Sequence, residues 1–118
     1  MTKFAIFVFA DPETKDGLGR VVNAMEAVKE LDGAGHDVRL YFDGYGTACP
    51  AILSDESHIA HGLFESVHQN IVGACTFCAT AFGTKTGIQK CSIALINEYD
   101  QHISIAKLIS DGHQIINF

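Results

Sequence analysis

The chain predicts a three-layer α/β fold: a parallel sheet of about five strands with helices on both faces. Three observations carry this reading. Short continuous apolar runs, Phe4 to Phe9 and Ile71 to Ala74 among them, read as strands buried on both faces. Between such runs lie segments whose apolar residues recur at helical spacing. No boundary, repeat or low-complexity stretch breaks the alternation, so residues 1–118 read as one domain of a size that supports one core.

The elements follow in order. After the first strand, Asp11 to Gly19 is a loop by composition. Leu18, Val21, Val22, Met25, Val28 and Leu31 then form the apolar stripe of a helix that Gly33 and Gly35 stop. Asp37 to Asp43 is a second strand centred on Val38, Leu40 and Phe42, and Gly44-Tyr45-Gly46-Thr47 is a turn. A second helix starts near Ser54 or Asp55, with Ile59, Leu63, Phe64 and Val67 inward, and ends at Asn70. The strand Ile71 to Ala74 runs into Cys75. An irregular or helical piece covers 76–90, Ser92 to Ile96 is a short strand, and 98–110 is a last helix with Ile103, Ala106, Leu108 and Ile109 inward. Asp111-Gly112 turns the chain into a closing strand, Gln114 to Phe118.

Eight basic residues against fourteen acidic ones give a net charge of −6, and no stretch concentrates Lys or Arg. A phosphate backbone or an anionic membrane surface finds little to hold, so neither nucleic acid nor membrane is an expected partner. The first apolar run is too short to span a bilayer, and Asp11-Pro12-Glu13 follows it where a leader would carry small residues and a cleavage site. The expected location is the cytoplasm. There, four cysteines read as redox, metal or sulfur chemistry rather than as two disulfides.

In parallel sheets, chemistry collects where strands end at their carboxyl edge. Segments 10–19, 44–53, 75–90 and 97–99 share that edge, whereas His36 and His113 precede strands and belong to the opposite one. Cys75 therefore falls on the active edge, with Cys78 three residues later as a C-x-x-C. Amides at a helix start favour a thiolate, the form that attacks sulfur, and a thiol three residues on can resolve a disulfide or persulfide on the first. Cys75 is accordingly expected to be the fastest thiol, Cys91 buried and slow, and Cys49 a loop residue able to substitute as resolving thiol. Both members of the pair also fit as small buried hydrophobes.

The segment Ala74-Cys75-Thr76-Phe77-Cys78-Ala79-Thr80-Ala81-Phe82-Gly83 resembles the cysteine loop of the DsrE/TusD-like sulfur-relay family, where a strand delivers a cysteine and a glycine follows eight residues later, as Gly83 follows Cys75. Lys3 to Phe9 is similar to that family's opening strand, Gly35 to Gly44 to its second strand and turn, and Ile105 to Phe118 to its closing helix and strand. The resemblance implies a flavodoxin-like, three-layer DsrE-like domain that carries persulfide sulfur on Cys75, with Cys78 as accessory thiol. It also implies sulfur-donor and acceptor proteins as partners and, together with a chain apolar for its size, a homo-oligomer, either trimer or hexamer. Two other classes stay open: a non-catalytic oligomeric or ligand-binding module of the same fold, and a thiol redox protein.

Other constellations are weaker. His58, His61, Glu65 and His68 form one stripe if they share a helix, a zinc or interface candidate that reads more simply as a solvated polar face. Cys49, Cys75, Cys78 and Cys91 lack the second close pair of a structural zinc site. Gly17-Leu18-Gly19 and Gly44-Tyr45-Gly46-Thr47 sit where an anion or flavin would lie, but neither completes a phosphate-binding pattern. Asp43, at a strand end, is a base or a turn former. No cofactor and no metal is assigned.

Overall fold

The computed structural model describes residues Met1 to Phe118. Five strands form one sheet: β1 (Lys3–Val8), β2 (Asp37–Phe42), β3 (Ile71–Cys75), β4 (Leu95–Ile96) and β5 (His113–Asn117). Their order is β4-β3-β2-β1-β5, and every pairing is parallel. The flavodoxin-like three-layer α/β arrangement expected from the sequence is the one observed.

Alternation along the strands sorts the core into two layers. Ile6, Val8, Leu40, Phe42 and Ala74 face one side, where they meet Val21, Met25, Val28, Leu53, Phe64 and Ile88. Ala5, Phe7, Tyr41 and Cys75 face the other, where they meet Ile96, Ile103 and Leu108, with Cys78 and Ile115 packed alongside. The first layer thus carries α1 (Lys15–Gly33), α2 (Cys49–Leu53), α3 (His61–Ser66) and α5 (Lys85–Lys90), and the second carries only α6 (Ile105–Ser110).

The topology explains this inequality. The steps β1→β2→β3→β4 all move one way across the sheet, so right-handed crossovers place their helices on one face. The step from β4 to β5 returns across the whole sheet, so its crossover covers the opposite face. Chain leaving β3 and chain leaving β4 therefore part to opposite faces, the arrangement that in such sheets places chemistry at the strand carboxyl ends. Cys75 and Ile96 are paired there as the last residues of their strands.

Several elements depart from the sequence expectation, each for a local reason. The helix α1 begins within the expected loop, because the Thr14 side chain accepts from the Gly17 amide and caps it. Gly17 is needed where a Cβ would collide with the Asp11 carbonyl, and Gly46 where one would collide with the Val8 carbonyl. Close packing therefore accounts for Gly17 and Gly46, and a left-handed backbone for Gly44, without an anion. The expected turn after β2 is a 3-10 helix, Gly44–Ala48, which runs into α2.

The helix expected from Ser54 onward forms only from His61. Asp55 accepts from the amide and hydroxyl of Ser57, and His58 Nδ1 accepts from the Ala60 amide, so side chains take up the donors a helix would use. Ile59, expected inward, is 91% exposed. The segment 76–90 holds two helices, α4 (Thr76–Ala81) and α5. The expected strand Ser92 to Ile96 shrinks to two residues, and the helix expected over 98–110 shortens to α6, capped by Ser104. Ile103 and Leu108 are buried as expected, but Ala106 and Ile109 are exposed.

Candidate functional site

The thiol of Cys75 lies buried at the carboxyl end of β3, beside the end of β4. Strand β3 delivers it and the backbone turns directly into α4, for which Cys75 is the cap: its Sγ accepts from the Cys78 amide at 3.4 Å, the role a serine or aspartate side chain usually fills. The residue is 0% exposed. Its sulfur is 3.4 Å from His102 Nδ1 and 3.8 Å from the Gln101 carbonyl, to which the thiol donates. In one tautomer the imidazole accepts the thiol proton; in the other it donates to the sulfur.

His102 reaches Cys75 through a tight hairpin. Tyr99 and His102 bridge to one another, and the two residues between them, Asp100 and Gln101, sit at φ 47° and 69°. Both central residues left-handed is the signature of a type I′ turn, usually made with glycine or asparagine. Neither residue here is glycine, and such conformations cost about 1–3 kcal/mol each where the surroundings enforce them. The surroundings are explicit: the Phe77 amide donates to the Gln101 carbonyl at 2.9 Å, and the Phe77 ring lies against the His102 ring with centroids 4.6 Å apart. The hairpin lies over Cys75 and is tied to α4 beside it.

Cys78 is partly exposed, and its thiol donates to Asp43 Oδ1 at 3.3 Å. The same carboxylate oxygen accepts from the Gly44 amide at 2.8 Å, which fixes it at the end of β2. Asp43 therefore serves the second thiol rather than the first. Burial, then the hydrogen bonds to Cys75 and Asp43, push the Cys78 thiol up to about 12. Cys78 is thus a protonated thiol at neutral pH.

The sequence-derived pair is brought together as expected: the sulfurs of Cys75 and Cys78 and a ring nitrogen of His102 all lie within 4.8 Å of one another. The other two cysteines lie elsewhere. Cys49 is not a loop thiol on the active edge; it is fully buried in α2 within the larger core, and burial raises its thiol far above the usual range. Cys91 is not buried; it is partly exposed and donates to the Pro50 carbonyl at 3.3 Å. The four cysteines do not converge on one site, in keeping with the missing second close pair.

The histidine stripe also disperses. His58 and His61 are engaged with local backbone at Ala60 and Leu53, while Glu65 and His68 line a separate depression with Lys90 and Cys91. His36 meets the Thr2 amide and His113 the Leu108 carbonyl, both in structural roles. The residue missed in the sequence is His102. The signal available was its place, a few residues beyond the carboxyl end of β4 on the edge already assigned to chemistry.

The raised thiols carry a consequence for stability. An unperturbed thiol ionises near 9.0, whereas the folded chain holds the Cys78 and Cys49 protons beyond that. Above that pH the unfolded chain binds fewer protons than the folded one, so folding stability falls as pH rises from about 9 toward 12. The urea midpoint is expected to drop across this window and to drop less in Cys78→Ser. An identical pH profile in the two proteins would contradict it.

Fold and cluster together define a three-layer α/β protein with a buried thiol against a half-buried imidazole and a second, protonated thiol beside them. No helix is long and apolar enough to cross a membrane. Comparisons of the chain with protein-family models, with curated proteins and with solved structures find no match.

Proposed function

We propose that this protein is a cysteine-based persulfide carrier or sulfurtransferase-like protein of sulfur metabolism, with Cys75 as the sulfur-bearing residue. The observation that carries the reading is the 3.4 Å approach of His102 Nδ1 to a thiol seated at the carboxyl end of β3. The imidazole takes the thiol proton, and the thiolate attacks the outer sulfur of a donor persulfide. The new bond is Cys75 Sγ to that sulfur, the bond broken is the donor's S–S bond, and the donor leaves as a thiolate. The bound persulfide then passes its outer sulfur to an acceptor thiolate by the same exchange. The resemblance of residues 74–83 to the DsrE/TusD-like cysteine loop supports the same assignment, and free thiols throughout the chain suit a reducing cytoplasm.

Assembly belongs to this reading. The face covered only by α6 exposes Phe9, Tyr99, Ile105 and Ile109, and a groove of about 470 Å³ lined by Phe9, Asp43, His102 and Ile103 adjoins the thiols. Second copies of the chain in a trimer or hexamer would cover that apolar surface next to the site.

Intact-mass analysis after exposure to a small persulfide or polysulfide donor tests the function. The expected result is one added sulfur, located on Cys75. Loss of two hydrogens with no sulfur gained would instead assign a thiol redox protein, and an unchanged mass would assign a module without thiol chemistry.

A further inference from the structure

We infer that Cys75, Cys78 and His102 form a binding site for a single zinc ion, with both sulfurs and Nδ1 as ligands and a fourth position open to water. The inference uses the residues of the carrier reading but not its chemistry. Three ligating atoms from three parts of the chain, the end of β3, the first turn of α4 and the hairpin after β4, converge within 4.8 Å. A zinc ion bound to thiolates at about 2.3 Å and to imidazole at about 2.0–2.1 Å, at tetrahedral angles, holds sulfur and nitrogen about 3.5 Å apart. The observed separation of Cys75 Sγ and His102 Nδ1 is 3.4 Å, so this edge of the tetrahedron is already at length.

The donor chemistry fits a soft-to-borderline d10 ion. Two thiolates and one imidazole select zinc over magnesium or calcium, which take oxygen ligands. Three protein ligands with a vacant fourth position is the pattern of zinc sites that exchange a ligand, not of closed structural ones. His102 is held in the required pose: its ring is packed against Phe77 and its backbone is anchored by the Tyr99 bridge. Asp43, 3.3 Å from Cys78 Sγ, adds negative charge beside the ion. Binding replaces the two thiol protons, which leave to solvent, so each ion taken up releases two protons and affinity rises with pH.

Zinc and persulfide compete for the same Cys75 sulfur. A metal-loaded chain is blocked to sulfur, and a sulfur-loaded chain is blocked to metal.

The test uses the full chain, stripped of metal with a chelator under reducing conditions. Zinc is titrated in against a chromogenic chelator, and cobalt(II) is substituted as a spectroscopic probe. The expected result is one zinc per chain and a cobalt spectrum with thiolate charge-transfer absorption and the intense visible bands of a tetrahedral site. Zinc should protect Cys78, the partly exposed thiol of the pair, from a maleimide while leaving Cys91 labelling unchanged. Cys75→Ser and Cys78→Ser should each abolish the one-to-one complex, and His102→Ala should weaken it by about 100-fold or more, since even lost supporting contacts cost 10–100-fold. Cys49→Ser and Cys91→Ser should bind as the parent does.

No stoichiometric complex with the parent chain, cobalt binding without thiolate absorption, or unchanged binding in Cys75→Ser overturns the inference. Protection in the parent chain reads the site without any variant, so misfolding of a variant cannot hide the answer. Sulfur loading is measured separately on the metal-free chain. A protein that binds zinc but takes no sulfur upholds the metal site and sinks the carrier; one that takes sulfur but binds no zinc does the reverse.

Discussion

Replacing Cys75 with serine is expected to reduce sulfur loading to the background of an unreacted chain, while Cys78→Ser loads one sulfur and keeps it longer than the parent. The asymmetry follows from what each sulfur touches. Cys75 faces His102 and the Gln101 carbonyl, so a proton acceptor lies against it; Cys78 faces the Asp43 carboxylate, which holds its proton in place. A hydroxyl at position 75 is far too weak a nucleophile toward sulfur to replace a thiolate. Cys78 acts only afterwards. Its thiolate attacks Cys75 Sγ, the bond to the outer sulfur breaks, and hydrogen sulfide leaves with an intramolecular disulfide behind. Because the Cys78 thiol is pushed up to about 12, that release is slow at neutral pH and accelerates as pH rises. Time-resolved intact mass checks both variants. If Cys75→Ser loads and Cys78→Ser does not, the roles are exchanged; if both load like the parent, the pair is not the carrier.

His102→Ala is expected to slow loading by about 100-fold at neutral pH, the low end of what a positioned acid or base contributes. The low end applies because a cysteine ionises in part without help near neutrality. For the same reason the deficit should shrink as pH rises from neutral into the alkaline range, where hydroxide does the work of the imidazole. Loading rates of parent and variant measured across that interval should therefore converge. Two curves that stay parallel at every pH would mean that His102 only holds the hairpin in place and moves no proton. The double variant His102→Ala with Cys75→Ser should load no worse than Cys75→Ser alone, since the histidine acts through that sulfur.

Much of this arrangement is legible from residue order alone. The apolar run from Phe4 reads as a buried strand and Val38, Leu40 and Phe42 as the centre of a second, and a parallel sheet then puts Cys75 at its carboxyl edge. The C-x-x-C spacing supplied the second thiol. What stayed hidden was governed by short-range competition that periodicity does not register. Asp55, Ser57 and His58 hydrogen-bond to nearby backbone and delay α3, which scatters the histidine stripe. The apolar spacing of Ile103, Ala106, Leu108 and Ile109 reads as a helix from residue 98, yet Asp100 and Gln101 adopt left-handed backbone that glycine usually signals. With no glycine there to mark the turn, the pattern places His102 in a helix over 98–110 and in no site. Cys49 reads as a loop thiol on the active edge for a related reason: Gly44 to Ala48 coils into a helix and carries it inward.

The strand that supports His102 is bonded lightly. Strand β1 pairs with β2 through six residues and with β5 through five, whereas β4 meets β3 through two. A segment held by so few backbone bonds detaches at far lower free energy than the sheet centre does. On the carrier reading, access to Cys75 is therefore governed by the edge of the sheet, and substitutions that loosen the Leu95–Ile96 pairing should raise the rate at which its sulfur meets an exchange partner.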